Sequence, residues 1–383
     1  MRKPLEIINV DIIGRTKQFC KEYLKPIAKE LDRNYRFPTE LLDLMGKEGF
    51  WGINQPVEYG GGGYDNVQAC KVIEEIAKVS AGVAMGIHGH WSVTDVLAKF
   101  GTDSQKKKYL PTLLNGKKIA AFCVSEIQAG SDAASITSAA EKTSEGWLIN
   151  GPKWFCTNGG LADIYLLAFK TDPKGGTKGI SLFIVEKGTA GFDIGEPQEK
   201  MGCRSSVTTG LKFKNCLIPA DNIIGSVNGG FKLIMHALNS GRLEMAATGL
   251  GIAEASYAEA KKYANERVAF GKPLAALYSI QEMLSDMYVK IQAAKLLIED
   301  AAKKRDCGDD YLLESSVAKL FVADVVNEVC HKALQVFGGH GYMQYNNIER
   351  YARDGRVMDI GVGATEVLKM VVGSSVLRMK EVE

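Results

Sequence analysis

One carboxylate stands out in this sequence because its neighbours carry no charge. Asp95 is the only formally charged residue between Lys78 and Lys99. If this segment is buried, desolvation raises the pKa of the Asp95 carboxyl group towards the range that suits a general base. The alternative is a solvated aspartate, because Asp95 lies opposite the apolar stripe within residues 93–100 of a predicted helix. Trp91 shares the face of Asp95, so we favour a buried, catalytic carboxylate.

Two histidines lie just before this carboxylate. His88 and His90 form an HxH pair, but no third ligand is evident, so we predict no metal site. The eight cysteines include no CxxC pair, which is typical of reduced and mostly buried thiols in a cytoplasmic protein.

The elements that must position these side chains form three blocks. We predict a helical domain over residues 1–120, a β domain over 121–228 and a second helical domain over 229–383. The predicted elements are helices at 40–49, 64–79 and 91–100 and strands at 179–187 and 209–218. The fold class is therefore α+β and mostly α. Strands and helices do not alternate, which argues against a Rossmann fold.

An early apolar stripe predicts one continuous amphipathic helix. Its members recur every four residues, at Phe19, Tyr23, Ile27 and Leu31.

Charge and hydropathy exclude some functions. The chain has 383 residues, and 47 Lys and Arg against 45 Asp and Glu give a net charge of +2. This balance argues against a nucleic-acid surface. Residues 1–10 lack the apolar core of a signal peptide, and no apolar stretch is long enough to span a bilayer. We therefore expect a cytoplasmic protein.

Seven short segments carry motifs in a characteristic order. They are FGTDSQKKKYLP (100–111), FCVSEIQAGSD (122–132), KWFCTNGG (153–160), KMGCRSS (200–206), ERVAFGKPL (266–274), QVFGGHGY (335–342) and ERYARDGRV (349–357). Together these segments resemble motifs of the acyl-CoA dehydrogenase family, and the resemblance extends over nearly the whole chain. The resemblance implies an N-terminal helical domain, a middle β domain and a C-terminal four-helix bundle. It also implies FAD as cofactor and a homotetramer that is a dimer of dimers.

The resemblance assigns roles to individual residues. It places one group of side chains against the flavin ring: Phe122, Val124, Ser125, Phe155 and Thr157. Arg267 and Phe270 match residues that reach the FAD diphosphate of a neighbouring subunit, and Gln335, Gly338 and Gly339 match a tight glycine turn near the adenosine half of FAD. Ser131, which we count with both cofactor and substrate, matches a position at the CoA thioester. Asn239 and Arg242 match residues that line the CoA pocket.

The chain departs from the family at the catalytic base. The commonest family base is a glutamate that corresponds to Val362 here, and a minority of members place the base at the position of Gly241. Neither residue accepts a proton. The aromatic residue before the glutamate has become Gly361, while Gly363 follows Val362 at the same acyl end of the pocket. The loss of the two large side chains at Gly361 and Val362 predicts an enlarged cavity.

A relocated base must act on a different carbon of the substrate. The pattern resembles the cyclohex-1-ene-1-carboxyl-CoA dehydrogenase branch of the family, which uses an aspartate across the pocket, and Asp95 fits that role. We expect 1,4-dehydrogenation to the 1,5-diene, with electrons passing to an electron-transferring flavoprotein. Asp359, Glu244 and Glu366 remain alternative bases. A saturated alicyclic acyl-CoA dehydrogenase, an enoyl-CoA reductase and a non-catalytic flavin- or CoA-binding scaffold remain alternative functions.

Overall fold

The computed structural model describes residues 11–379, and its N-terminal third is helical. Residues 1–10, on which the expectation of no signal peptide rests, lie outside the described residues. The helices are α1 (Ile12–Phe19), α2 (Ala28–Arg33), α3 (Leu42–Lys47), α4 (Asn66–Val79), α5 (Ala81–Phe100) and α6 (Asp103–Leu114). Capping boxes fix two helix starts, since Asp65 and Gln68 cap α4 and Thr102 and Gln105 cap α6.

The prediction of one continuous helix over residues 19–31 is wrong. A π-helical turn follows α1 at Cys20–Leu24, and α2 begins only at Ala28. Pro26 lies between them and has no amide hydrogen to continue the helical hydrogen bonds. Phe19 and Leu31 are nevertheless buried, so the stripe marks the core side of a broken helix.

Helix α5 is longer than the predicted 91–100 because small residues conceal its first half in the sequence. It starts at Ala81, and 14 of its 20 residues are buried. Glycines permit close packing: a Cβ on Gly86 would lie 2.6 Å from the Phe37 ring, and one on Gly89 would lie 3.2 Å from Thr157. The close approach of Gly89 to Thr157 places α5 against the end of a strand in the β domain.

One eight-stranded sheet forms the β domain. Its strands are β1 (Ala120–Cys123), β2 (Ala139–Lys142), β3 (Trp147–Thr157), β4 (Ile164–Lys170), β5 (Ile180–Glu186), β6 (Phe192–Pro197), β7 (Thr208–Ile218) and β8 (Ile223–Ile224). The order is β6-β7-β3-β2-β4-β5-β8, and β1 pairs in parallel with β4. The two strands predicted from sequence, at 179–187 and 209–218, are confirmed as β5 and β7.

Helices return after the sheet and continue to the end of the described chain. They are α7 (Gly230–Glu266), α8 (Tyr278–Cys307), α9 (Leu312–Phe337), α10 (Ile348–Gly355) and α11 (Thr365–Val376), with a hairpin of β9 (Val268–Ala269) and β10 (Lys272–Pro273) between α7 and α8. The predicted fold class is confirmed, while the domain limits at 120/121 and 228/229 stay predictions. Over residues 11–379, no helix is both long and apolar enough to cross a bilayer.

Two of the sequence motifs meet where α10 packs against the loop before β7. The Cys203 amide donates to Asp354 Oδ1 at 2.5 Å, and a Cβ on Gly202 would clash with the Arg353 carbonyl oxygen. The Arg353 guanidinium also pairs with Asp32 at 2.7 Å. Burial raises the pKa of the Asp354 carboxyl group to about 6.

Replacing Asp354 should reveal this pKa shift as a pH-dependent change in stability. A raised folded-state pKa gives stability below the unfolded pKa that is lost as pH rises through the folded pKa. Asp354→Asn should therefore have little effect near pH 4 and raise the free energy of unfolding by roughly 1–3 kcal/mol near pH 8. Urea unfolding at both pH values measures this, with exposed Asp309→Asn as control. Equal effects of Asp354→Asn at both pH values would contradict the assignment.

Candidate active site

The residues expected at the flavin lie where β1 ends beside β3. Phe122 is in β1, and Val124 and Ser125 follow directly; all three are half-buried. The Trp154 amide donates to the Ser125 carbonyl at 2.9 Å, and Cys123 Sγ lies 3.2 Å from the Trp154 carbonyl oxygen. Two motifs that are about 30 residues apart in the chain thus form one surface.

Phe155 is displayed on this surface by an irregular backbone. The register of β3 with β7 shifts between Lys153 and Cys156, and Phe155 has a φ of 57°. A left-handed conformation is unfavourable for an aromatic residue, and such strain clusters at functional sites. Phe155 is 63% exposed, and Thr157 is half-buried two residues further on. A flat apolar side chain beside a hydroxyl suits the face and edge of a flavin ring.

A buried ion pair holds the two flavin segments together. Glu126 Oε1 and Lys153 Nζ lie 2.8 Å apart with no exposed side-chain surface, and Lys153 also donates to the Val124 carbonyl at 3.2 Å. The amides of Thr137 and Ser138 donate to the Glu126 carboxylate. Burial alone would raise the pKa of Glu126, but the Lys153 charge and these hydrogen bonds lower it to about 2. The sequence analysis missed this pair, although both residues stand in the quoted motifs.

Asn158 is a second positioning residue that the sequence analysis missed. Its amide nitrogen donates to the Gly86 carbonyl of α5 at 2.7 Å and to the Ala120 carbonyl of β1 at 3.2 Å. Its φ of 63° is one that asparagine tolerates better than most residues. Asn158 therefore fixes Thr157 relative to both α5 and β1. The signal in the sequence was an asparagine directly before the two glycines of the KWFCTNGG motif.

The residues expected at the diphosphate and adenosine parts of FAD are all on the surface. Arg267, Gln335, Gly338 and Gly339 are exposed. Phe270 is 90% exposed at the tip of the β9–β10 hairpin, where its φ is 53°. All five residues therefore lie outside the core of their own chain.

Two of the three residues expected at CoA lie on α7. Arg242 is buried, donates to Ser316 Oγ at 3.1 Å, and has no hydrogen-bond partner for its Nε atom within residues 11–379. Burial lowers the pKa of its guanidinium. Asn239 Oδ1 accepts a hydrogen bond from Ser315. Ser131 is exposed in the loop after β1.

The two family positions for the base face each other. A Cβ on Gly241 would lie 3.0 Å from Val362 Cγ1, so the valine side chain covers the glycine. Val362 has a φ of 54°, which is a genuine outlier for a β-branched residue. Gly363 beside it accepts a 2.7 Å hydrogen bond from Lys319 Nζ. No carboxylate occupies either of these two positions.

The expected enlargement of the acyl cavity stays a prediction. A Cβ on Gly361 would lie 2.8 Å from Met245 Cε, so this methionine packs directly against the glycine. Methionine is unbranched and adapts readily, so this wall yields to a bulky group more easily than a leucine would.

Asp95 is half-buried between helices, but its expected raised pKa is wrong. Its side chain is only 16% exposed. Oδ2 accepts from Ser240 Oγ at 2.9 Å and lies 2.9 Å from His236 Nε2, while Oδ1 lies 3.1 Å from Arg305 Nη2. Burial by itself raises the pKa of Asp95, but the Arg305 charge and these hydrogen bonds reverse the shift and hold it well below its usual range. The expectation of a solvated aspartate is also wrong.

Glu244 has the property that was expected of Asp95. Its carboxyl group is buried, lies 3.6 Å from Arg305 Nη1, and has no hydrogen-bond partner for Oε2 among residues 11–379. Burial raises its pKa to about 7, only partly opposed by Arg305. At 100° per residue on α7, Glu244 lies between the face of Gly241 and the face of Ser240. It therefore sits between the acyl end and Asp95.

The remaining two acids are less suited to accept a proton. Asp359 accepts hydrogen bonds from Asn327 at 2.8 Å and from Thr365 at 3.2 Å and is also paired with Arg356. Glu366 is exposed at the start of α11.

The histidine pair does not converge on one point. His90 Nδ1 accepts the Ala120 amide at 2.9 Å, whereas His88 is buried with Nε2 unpartnered among the described residues. Burial lowers the pKa of His88 to about 4, so it is neutral at physiological pH. In residues 11–379, no three His, Cys, Asp or Glu side chains cluster as metal ligands.

Known proteins match the chain in all three blocks. Residues 11–117 match the N-terminal domain of acyl-CoA dehydrogenases, residues 121–216 the middle domain, and residues 228–377 the C-terminal domain. The chain therefore belongs to the acyl-CoA dehydrogenase family, and it is an oxidoreductase that acts on acyl-CoA with FAD as cofactor.

Individual relatives extend over nearly the whole chain. A short-chain-specific acyl-CoA dehydrogenase of Clostridium acetobutylicum is 39% identical over 363 residues, which are 94% of this chain and 96% of that protein. A 3-(aryl)acrylate reductase of Clostridium sporogenes is 39% identical over 364 residues, with the same two shares. The butyryl-CoA dehydrogenase structure from Megasphaera elsdenii superposes with a TM-score of 0.95 at 38% identity, covering 99% of this chain and all of that one.

The residues present fit the flavin. Phe155 offers an exposed aromatic face, Thr157 a nearby hydroxyl, and the half-buried Phe122 and Val124 continue the apolar surface. When bound, FAD supplies a two-electron acceptor or donor for hydride transfer. These side chains would hold and orient it.

Breaking the Glu126–Lys153 pair should loosen FAD. Lys153→Met leaves the Glu126 charge buried without its partner, which should cost about 3–5 kcal/mol of unfolding free energy. Because Glu126 and Lys153 join the segments of Ser125 and Phe155, the variant should also lose FAD on gel filtration. Urea unfolding and the 450 nm absorbance measure the two effects.

The double variant Lys153→Met/Glu126→Gln is the matched control. It removes the uncompensated charge and should recover part of the stability and of the FAD content. A double variant that is as unstable as the single one would contradict the charge argument.

Proposed function

We propose that this enzyme oxidises an α,β-unsaturated cyclic acyl-CoA, cyclohex-1-ene-1-carboxyl-CoA, to the 1,5-diene. The observation that carries the proposal is the contact between Val362 and Gly241, which leaves both family positions for the base without a carboxylate. Ordinary α-proton removal lacks an acceptor there. An enoyl thioester has an additional acidic site, because its double bond transmits the thioester's electron withdrawal to the γ-carbon.

The reaction is a 1,4-elimination. A γ-proton leaves to a protein carboxylate, a hydride leaves from the carbon across the ring to the flavin, and the double bonds rearrange to the conjugated diene. Met245 supports a cyclic substrate, since the side chain against Gly361 is an unbranched methionine, which adapts to a bulky ring more readily than a branched residue would. Arg242 supports binding of the thioester portion, because its buried Nε has no protein partner in residues 11–379.

Asp95 is the proton acceptor in this proposal. It is ionised at neutral pH and therefore able to accept a proton. Ser240, which binds Asp95 Oδ2, directly precedes Gly241 on α7, so the carboxylate is close to the acyl end along that helix. The Arg305 contact at 3.1 Å limits its basicity. Proton transfer to Asp95 therefore requires a strongly acidified carbon or a weakened Arg305 pair.

A second candidate function is enoyl-CoA reduction, and Glu244 favours it. Reduction needs a group that is protonated at neutral pH and donates to the substrate carbanion. Glu244, with a pKa of about 7, meets this need whereas Asp95 does not. The related 3-(aryl)acrylate reductase is consistent with the same direction of flux.

Two more candidate functions differ in how the bound FAD would respond to substrate. A saturated alicyclic acyl-CoA dehydrogenase would bleach its FAD with the saturated ring thioester. A non-catalytic scaffold would bind FAD that no acyl-CoA bleaches. The Phe155, Thr157 and Arg242 side chains argue for a working site, since each is presented at a position that fits flavin or thioester.

We further propose an assembly and an electron acceptor. The exposure of Phe270 on its hairpin, together with that of Arg267 and Gln335, supports an FAD site completed by a neighbouring subunit in a homotetramer. An electron-transferring flavoprotein in the cytoplasm is the proposed acceptor.

Removing the Asp95 charge tests the assignment of the base. Asp95→Asn should retain FAD and slow its anaerobic reduction by cyclohex-1-ene-1-carboxyl-CoA by about 10²-fold or more, because a general base contributes roughly 10²–10⁴. Stopped-flow absorbance at 450 nm measures the rate. Asp359→Asn is the matched control and should keep most of the rate.

Glu244→Gln separates the two acids. Full turnover by Asp95→Asn would rule out Asp95 as the base. Loss of turnover only in Glu244→Gln would assign the proton transfer to Glu244 instead.

A further inference from the structure

A separate cleft lies between the two helical domains, away from the flavin and acyl residues. Its volume is about 660 Å³, within the size range of small-molecule sites. It is bounded by residues from the turn before α2, the end of α4, the middle of α7 and α8, and the start of α10. None of the residues assigned above to flavin or thioester lines it.

Cations dominate the lining of this cleft. Lys25 and Lys262 are exposed there without a carboxylate partner among residues 11–379. Lys29 donates only to the Tyr345 carbonyl at 3.2 Å. Two further lysines in the lining, Lys78 and Lys295, are already paired with Glu254. Glu259 also lines the cleft, so a surplus of positive charge remains.

Arg350 supplies a buried donor that the protein does not use. It is 7% exposed, and its Nη2 donates to the Val79 carbonyl at 2.9 Å. Its Nε has no partner among the described residues. An unpaired buried donor of a charged group is costly, so its presence at the cleft wall indicates an absent acceptor. Arg350 also lines a smaller adjoining recess with Arg33 and Arg204, which extends the positive surface.

One wall of the cleft is aromatic. The Tyr257 and Tyr288 rings lie 6.0 Å apart at 42°, and Tyr288 is 51% exposed. The exposed Tyr288 ring and the half-buried Tyr257 ring lie beside unpaired cations, which suits a ligand with a flat base and a charged phosphate group.

We propose that this cleft binds a nucleoside diphosphate, with its base against Tyr257 and Tyr288 and its phosphates near Lys262, Lys29 and Arg350. The inference is independent of the dehydrogenation proposed above. It assigns the cleft a second ligand that is neither the FAD nor the acyl-CoA.

Titration with ADP tests the site. The FAD-loaded enzyme, saturated with an acyl-CoA to occupy the CoA pocket, should bind ADP with one site per chain by isothermal titration calorimetry. Charge reversal in Lys29→Glu/Lys262→Glu should weaken this binding by at least about 10-fold, since two charge contacts are each reversed. Lys107→Glu, an exposed lysine on α6, is the control and should leave ADP affinity unchanged.

Three outcomes would overturn the proposal. One is no ADP binding at about 1 mM, which corresponds to less than about 4 kcal/mol of binding free energy. Another is equal weakening by Lys107→Glu, which would indicate general charge attraction. The third is a change of assembly mass in the double variant with unaltered ADP binding, which would make the cleft a contact between copies of the chain.

Discussion

A carbon–hydrogen bond next to a thioester is not broken without an acceptor for the proton, and this chain removes the acceptor from both places where its family keeps one. The Val362 side chain covers Gly241, since a Cβ on Gly241 would lie 3.0 Å from Val362 Cγ1. The surrounding loop maintains this contact even though Val362 adopts a left-handed backbone that a β-branched residue disfavours. The proposed substrate, the proposed direction of flux and the proposed catalytic acid all follow from this one arrangement.

The acids that remain are governed by a single buried cation. Arg305 lies between Asp95 and Glu244, and its charge is closer to Asp95. One carboxyl group is therefore held ionised while the other has a pKa of about 7. Neighbouring acids with separated pKa values divide the roles of proton acceptor and proton donor. In the proposed function, Asp95 is the proton acceptor for dehydrogenation, and Glu244 is the proton donor for the alternative, reduction.

The sequence predicted what depends on short-range pattern and on motif order. Strand β7, the family and the absence of a base at Val362 follow from neighbouring residues. The pKa of Asp95 could not be predicted, because Ser240 and Arg305 are 145 and 210 positions away and no local pattern places them there. The Glu126–Lys153 pair was missed for the same reason, since 27 residues separate its members. The break after α1 was missed because periodicity outweighed Pro26 in the prediction.

The most direct test of the account is an anaerobic titration of the FAD absorbance with two thioesters. The native enzyme should be bleached by cyclohex-1-ene-1-carboxyl-CoA and not by butyryl-CoA, because the thioester of this saturated substrate acidifies only the protons on the α-carbon. Val362→Glu, which restores a carboxylate opposite Gly241, should gain bleaching by butyryl-CoA. Full bleaching of the native enzyme by butyryl-CoA would contradict the claim that the missing base determines the reaction.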